Sequence, residues 1–394
     1  MATTSNAGEP IAEAQPEIPP SKPLQVFLLI ALLISGSAYV ADLFSETNAP
    51  RRTRPDRLHR LVESRGEFAS HMEAGMRDLK AQQYERAAEQ FRLAVQAQNL
   101  AEAHYALGNA LFKMARPDEA LAQFKEAVRL NPHYTEVYLA WSQELIAQGK
   151  PDEAAHVLHE ALRVSPNSSL AHFRLGQAYA DQEKAALADQ RSAEAQAHSN
   201  DAVDFGAKAE RLRSDALQQF DQAQRLGLDR PEFWLAYGQL LSEEQKFAEA
   251  EPYLRKAAND QPDLTDAHFA LALAQQGLGK YADAIGQYQA TLTLRADDPP
   301  TLAQLALLYA TATNSDFRSP KMAVQLATRA NDATSAQNPR FMDTLARCHA
   351  ACGDFLEAIN WEDQAIHRAE QIRDLALLQQ MRPRYALYLQ HKTE

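Results

Sequence analysis

The sequence predicts an all-α protein: a solenoid of about eight stacked helical hairpins behind a single N-terminal transmembrane helix. Three observations predict it. Alanines recur as Ala87, Ala120, Ala154, Ala216, Ala250, Ala284, Ala323 and Ala358, separated by 33, 34, 62, 34, 34, 39 and 35 residues. A period near 34 is one supersecondary unit, too small to bury its apolar face alone and therefore stacked on its neighbours. Leu24 to Phe44 reads LQVFLLIALLISGSAYVADLF, with no charge before Asp42. Finally, 45% hydrophobic residues with abundant Ala, Leu, Gln and Glu suits a helical array, which can bury a continuous core without splitting into domains.

Residues 1–23 contain Pro10, Pro16, Pro19, Pro20 and Pro23, three glutamates and few large apolar side chains. Such a tail cannot bury enough surface to order itself. Residues 24–44 form the expected span: 21 helical residues cover about 31 Å, close to the hydrocarbon thickness of a bilayer. Two readings compete with it. The small residues from Ser35 to Ala38 suit a cleaved signal peptide, whose leader should however be short and basic, and this one is long, acidic and offers only Lys22. A buried soluble helix is the other, although nothing amphipathic marks a face. Residues 45–65 read as a basic linker with Arg51, Arg52, Arg54, Arg57 and Arg60, and positive charge beside a span tends to stay in the cytoplasm.

The repeats occupy residues 66–366, and Glu102 to Pro132 shows their internal order. Gly108 precedes Ala120 by twelve residues, Phe124 and Ala127 follow it by four and seven, and Asn131-Pro132 closes the unit. The offsets recur as Gly75, Ala87, Phe91 and Ala94; as Ser142, Ala154, Leu158 and Ala161; and as Gly238, Ala250, Leu254 and Ala257. Small residues let two helices approach closely, the residues at +4 and +7 extend one apolar stripe, and proline stops the second helix.

This order resembles the tetratricopeptide repeat family, whose pattern sets an aromatic, Leu-Gly and a tyrosine in the first helix and Ala, Phe, Ala and Pro in the second. Trp234, Tyr237 and Gly238 fill the first-helix positions in one unit, and Leu175, Gly176 and Tyr179 in another. The pattern departs at Asn99, which replaces a closing proline, and in the seventh unit, which carries five extra residues around Asn314 to Lys321. A short tail, one span and such an array together resemble membrane-anchored bacterial envelope proteins. Single-span relatives often display their repeats on the far side of the membrane, so a periplasmic placement stays open beside the cytoplasmic one.

The 62-residue interval holds one period plus an insertion, residues 183–210, with mixed charges and a Ser199-Asn200-Asp201 cluster suited to a turn and helix N-cap. It is expected to lengthen both helices of the fourth unit into a hairpin. Residues 367–394 are expected to close the stack as one capping helix, with apolar positions from Ile366 to Tyr388 broken only by Pro383.

Residues 1–65 balance seven acids against seven bases, so the net charge of −12 belongs to the repeats. An acidic array has no basic stripe for phosphates, and nucleic acid is not an expected ligand. No phosphate-binding glycine loop, HExxH or nucleophile-elbow sequence appears, so no enzyme activity, cofactor or small-molecule substrate is expected. Cys348, His349 and Cys352 lack further ligands for a closed metal site and read as core packing, as His156 and His159 read as surface positions.

In the family the first helix of each repeat lines the concave face, through residues three before and one after the small residue. The resemblance therefore places Met72, Tyr105, Leu139, Phe173, Leu235 and Phe269 in one row, and Met76, Asn109, Gln143, Gln177, Gln239 and Leu273 in the other. Four consecutive middle units pair an apolar residue with a carboxamide that can both donate to and accept from a peptide backbone. The expected function is a membrane-anchored scaffold or assembly factor binding extended or helical partner segments in this groove. Two readings stay open beside it: a regulatory subunit of a separately encoded membrane glycosyltransferase or peptidase, and a row that merely packs between repeats. Co-chaperones that clamp a terminal carboxylate need lysine where Tyr105 stands, so a chaperone tail is not the expected ligand.

Overall fold

The computed structural model describes residues 54–195 and 198–393. Among them, seventeen α-helices and one 3-10 turn follow one another without a strand. The chain divides into residues 1–67 and residues 68–394. Of the first unit, the described residues are the opening turns of α1 (Arg54–Lys80), so the segment expected as a linker is helical from Arg54. Pro55 suits that start, because a first-turn residue needs no N–H donor. The expected span at 24–44 lies outside the described residues. No helix among the described residues is long and apolar enough to cross a membrane.

In the second unit α1 meets α2 (Tyr84–Ala97), after which hairpins follow in order: α3 (Ala101–Lys113) with α4 (Pro117–Leu130), α5 (Thr135–Ala147) with α6 (Pro151–Val164), and α7 (Ser169–Ala195) with α8 (Ser199–Arg225). Then come α9 (Pro231–Glu243) with α10 (Phe247–Asp260), α11 (Thr265–Gly277) with α12 (Tyr281–Leu294), α13 (Pro299–Thr311) with α14 (Pro320–Ala333), and α15 (Pro339–Ala351) with α16 (Phe355–Gln371), before α17 (Leu375–Tyr388). Apart from the ends and the fourth hairpin, first helices have 13 residues and second helices 14. Six of the turns within hairpins place one residue at positive φ, namely Gln82, Ala115, Gly149, Gln245, Gly279 and Gly353, and where that residue is glycine the conformation carries no Cβ penalty.

All eight recurring alanines are fully buried, which gives their spacing its physical cause. A Cβ built on Gly75, Gly108 or Gly176 would lie within 2.5 Å of a ring carbon of Phe91, Phe124 or Phe220. The glycines thus bring the first helix against an aromatic ring on the second. A further tie recurs four residues before the small position. The Nδ1 atoms of His71, His104, His172 and His268 lie 2.7–2.9 Å from the Oε1 atoms of Gln90, Gln123, Gln219 and Gln287. Unit five replaces that pair by Trp234 stacked on Tyr253 at 5.6 Å, and unit seven uses the buried Leu302 and Leu326 at the same two places.

The insertion lengthens α7 and α8 to 27 residues each. Among the described residues, Ala186, Ala209 and Leu212 form a small apolar cluster there, flanked by Tyr179 and Leu187. A buried ion pair supplements it: Arg213 Nε donates to Glu183 Oε1 at 2.7 Å, and Glu183 is fully buried. The single capping helix expected after the repeats is divided. Asp374 accepts from the Leu377 N–H and starts α17 afresh, behind Arg373 at positive φ. The N-cap carboxylate, a stronger local instruction than apolar spacing, explains the break. The last helix packs on α16 and also meets α7.

Candidate functional site

The first helices carry the expected row, and the structure separates its members. Met72, Tyr105 and Leu139 are half-buried and rest on the core of the first three hairpins. The Tyr105 ring lies 6.3 Å from Phe124 and 5.3 Å from Tyr134. Leu235 and Phe269 are half-buried likewise, Phe269 with its ring 6.1 Å from Tyr288. Phe173 departs from the expectation. It is 6% exposed, edge-on to Phe233 at 5.5 Å and 5.9 Å from Phe220, and so fills the space between the fourth and fifth hairpins. Phe220 stands where Phe124 and Tyr288 meet Tyr105 and Phe269, and Phe233 from the next hairpin adds a second ring, so Phe173 is too enclosed to be open to a ligand. Among the carboxamides, Gln143 and Gln239 are exposed and Asn109 and Gln177 half-buried.

Three of the expected residues, Gln239, Phe269 and Leu273, share a real concavity. Gln239 and Phe269 line a cleft of about 660 Å³ together with Leu273, Phe247, Tyr281 and Leu308. Ser242, Glu243, Gln276 and Thr311 give it a polar margin, and Lys184 from the lengthened α7 reaches it from the side. Gly277 is what lets Phe247 lie there: a Cβ at that position would fall 2.5 Å from the ring. Burial raises the Glu243 carboxyl above its ordinary value, the negative Glu183 adds to the rise, and Lys184 and Arg213 oppose it.

Further along the same helices, Arg174 was not among the expected residues. Its Nη2 donates to Gln143 Oε1 at 3.0 Å, while its Nε is sealed from solvent without an acceptor. Burial, and after it the like charge of Arg230, lowers its hold on its proton, and the Tyr105 phenol counters them. A sequence signal existed. The position two before the small residue is alanine in four units, namely Ala106, Ala140, Ala236 and Ala270, and arginine here.

The described residues hold no cluster of three or more potential metal ligands. Cys348 is buried, and burial pushes its thiol up to about 12, so it is a packing residue rather than a nucleophile. Cys352 is exposed, as are His156 and His159, the latter with Nε2 2.9 Å from the Tyr179 hydroxyl.

Sequence models of the tetratricopeptide repeat match residues 101–134, and again residues 139–202, 207–264 and 240–299. Similar solved structures include PilF from Pseudomonas aeruginosa, at 17% identity over 59% of this chain and 93% of that one, with a TM-score of 0.47. YrrB, described as a TPR protein with an unusual peptide-binding site, aligns at 17% identity over 54% of this chain and 92% of its own, TM-score 0.40. An IFIT1 mutant with m7Gppp-AAAA aligns at 17% over 71% and 57%, TM-score 0.47. No curated protein sequence matches the chain. At such values the assignment rests on the repeat models and on the buried alanines, close glycine contacts and paired helices described above, which together place the chain in the tetratricopeptide repeat family.

Proposed function

We propose that this protein-interaction scaffold is non-enzymatic, is held at a bacterial inner membrane by residues 24–44, and binds an extended or helical segment of a partner along its first helices. The observation that carries this is the cleft in which Phe269, Leu273 and Tyr281 offer apolar surface while Gln239 and Gln276 stand at the margin as donors and acceptors. Apolar anchors held beside a few placed polar groups are what a peptide side chain and its backbone need. Tyr105, Asn109, Leu139, Gln143, Gln177 and Leu235 extend the same chemistry along preceding hairpins, with Phe173 behind them as support. The charge of −12 favours a protein ligand over a nucleic acid.

The test is cross-linked purification of the full chain from its native membrane, beside a variant carrying Asn109→Ala, Gln239→Ala and Phe269→Ala. Specific partners lost by the variant, with its circular dichroism unchanged, are the expected result. An identical set of partners in both samples would overturn the groove. One enzyme recovered at fixed stoichiometry would instead favour a regulatory subunit. The flanking arginines favour repeats on the cytoplasmic side. Exposed Cys352 provides the check, because an impermeant maleimide added to intact cells should label it only if the repeats face outward.

A further inference from the structure

Several arginines in this unit are matched by carboxylates, among them Arg213 by Glu183, Arg255 by Glu251, Arg295 by Asp266, Arg329 by Asp297 and Arg340 by Asp374. Arg174 and Arg230 are not among them, and Arg174 is the arginine with a sealed Nε that finds no acceptor. Among the described residues neither forms an ion pair, although the repeats carry the whole excess of negative charge. Arg174 is partly withdrawn from water, its Nε has no acceptor, and its one hydrogen bond goes to a neutral carboxamide on the preceding hairpin. Arg230 is exposed at the entry to α9 and bears on Arg174 electrostatically. Two like charges, one of them dehydrated, are unfavourable as they stand.

A guanidinium so placed needs what its neighbours do not provide. Its Nη edge presents fixed donors suited to a carboxylate, and charge-assisted bonds of this kind are about twice as strong as neutral ones. Tyr105, Gln143, Arg174 and Arg230 come from four successive hairpins, so the spot lies in the path of a segment running along the first helices. We propose that Arg174 and Arg230 together receive one aspartate or glutamate side chain of the bound segment, with Gln143 holding the Arg174 guanidinium in place. This rests on the groove reading above and adds what the ligand must carry: an acidic residue within an otherwise apolar stretch. A repeat surface of net negative charge would repel acidic proteins at large, so the pair also selects where along such a segment the acid can sit.

The experiment pans random 12-residue peptides, displayed on phage through their C-termini so that only side-chain carboxylates are on offer, against the full chain in mild detergent. Peptides enriched in one Asp or Glu are expected. Changing that acid to its amide should weaken binding to the wild type on the order of tenfold, as should Arg230→Gln or Arg174→Gln. On either single variant the amide change should then cost less than on the wild type, because one of the two partners of the acid is already gone, and on Arg174→Gln with Arg230→Gln it should cost nothing further. Exposed Arg230 keeps the test open should Arg174→Gln fail to fold. Selected peptides with no acidic preference, or an amide change equally costly on the variants, would overturn the anion site and leave the groove standing. No peptide enriched over vector phage would remove both.

Discussion

Replacing Gly108 by alanine should destabilise the protein, although the same replacement at Gly286 should stabilise it. A Cβ at Gly108 would lie 2.5 Å from Phe124 Cε1 and 2.8 Å from Cδ1, and the ring, 1% exposed, has nowhere to move. Overpacking of this kind costs about 1–3 kcal/mol, against which alanine gains about 1 kcal/mol over glycine in a helix. The net expectation is a loss of about 1–2 kcal/mol. At Gly286 in α12 the added Cβ meets nothing within 4 Å, so the propensity gain of about 1 kcal/mol stands alone. Urea denaturation followed by circular dichroism gives the sign. Amide hydrogen exchange across α3 and α4 localises the loss, since arrays of repeats open locally. The third hairpin suggests a rescue, because it pairs Ser142 with Leu158 at the same two positions. Phe124→Leu combined with Gly108→Ala should recover part of the loss, a coupling of about 1 kcal/mol. The reasoning fails if Gly108→Ala stabilises like Gly286→Ala, or if the two changes at Gly108 and Phe124 simply add.

Other consequences can be checked directly. Iodoacetamide at mild alkaline pH should label Cys352 and spare Cys348 until denaturant is added; equal native labelling by mass spectrometry would contradict the burial of Cys348. Burial alone would raise the Glu251 carboxyl, but hydrogen bonds from Lys280, Arg255 and Gln275 outweigh it and hold the group below its ordinary value of 4.5. A depressed carboxyl stabilises the folded state above that value and ceases to as pH falls through its own. Thermal melts should therefore show the advantage of wild type over Glu251→Gln complete at neutral pH and shrinking in acid below 4.5. Glu183→Gln should cost about 3 kcal/mol by stranding Arg213, whereas Glu183→Leu with Arg213→Leu should cost much less, both read from denaturation midpoints. Equal losses in the single and double variants would mean that the pair is not what holds the base of the hairpin.

The helices were legible because the same contacts are made again and again. A 34-residue period fixes where alanine must be buried, and the glycine twelve residues earlier marks where two helices touch. The tie between histidine and glutamine was equally present, 19 residues apart in three units and 47 apart across the insertion in the fourth, but a polar pair hidden among apolar positions does not alter the hydrophobic period. What the sequence did not reveal is long-range or depends on context. Phe173 holds the same repeat position as Tyr105, yet the aromatics of α8 and α9 enclose it. Arg174 stands out only when one position is compared across units. The break before α17 lay in Asp374, masked by a continuous apolar spacing on either side.

The meeting of α17 with α7 changes how the stack should melt. In an array where each hairpin touches only the next, stability is a sum of nearest-neighbour terms and unfolding creeps inward from either end. A contact between the last helix and the fourth hairpin links segments nearly two hundred residues apart and adds a term that no neighbouring pair contains. The four hairpins between them then form a closed circuit: fraying at the C-terminus is felt first at α7, and loosening α7 releases the end of the chain. The second half of the molecule behaves as one cooperative block, while the first three hairpins remain a one-dimensional array.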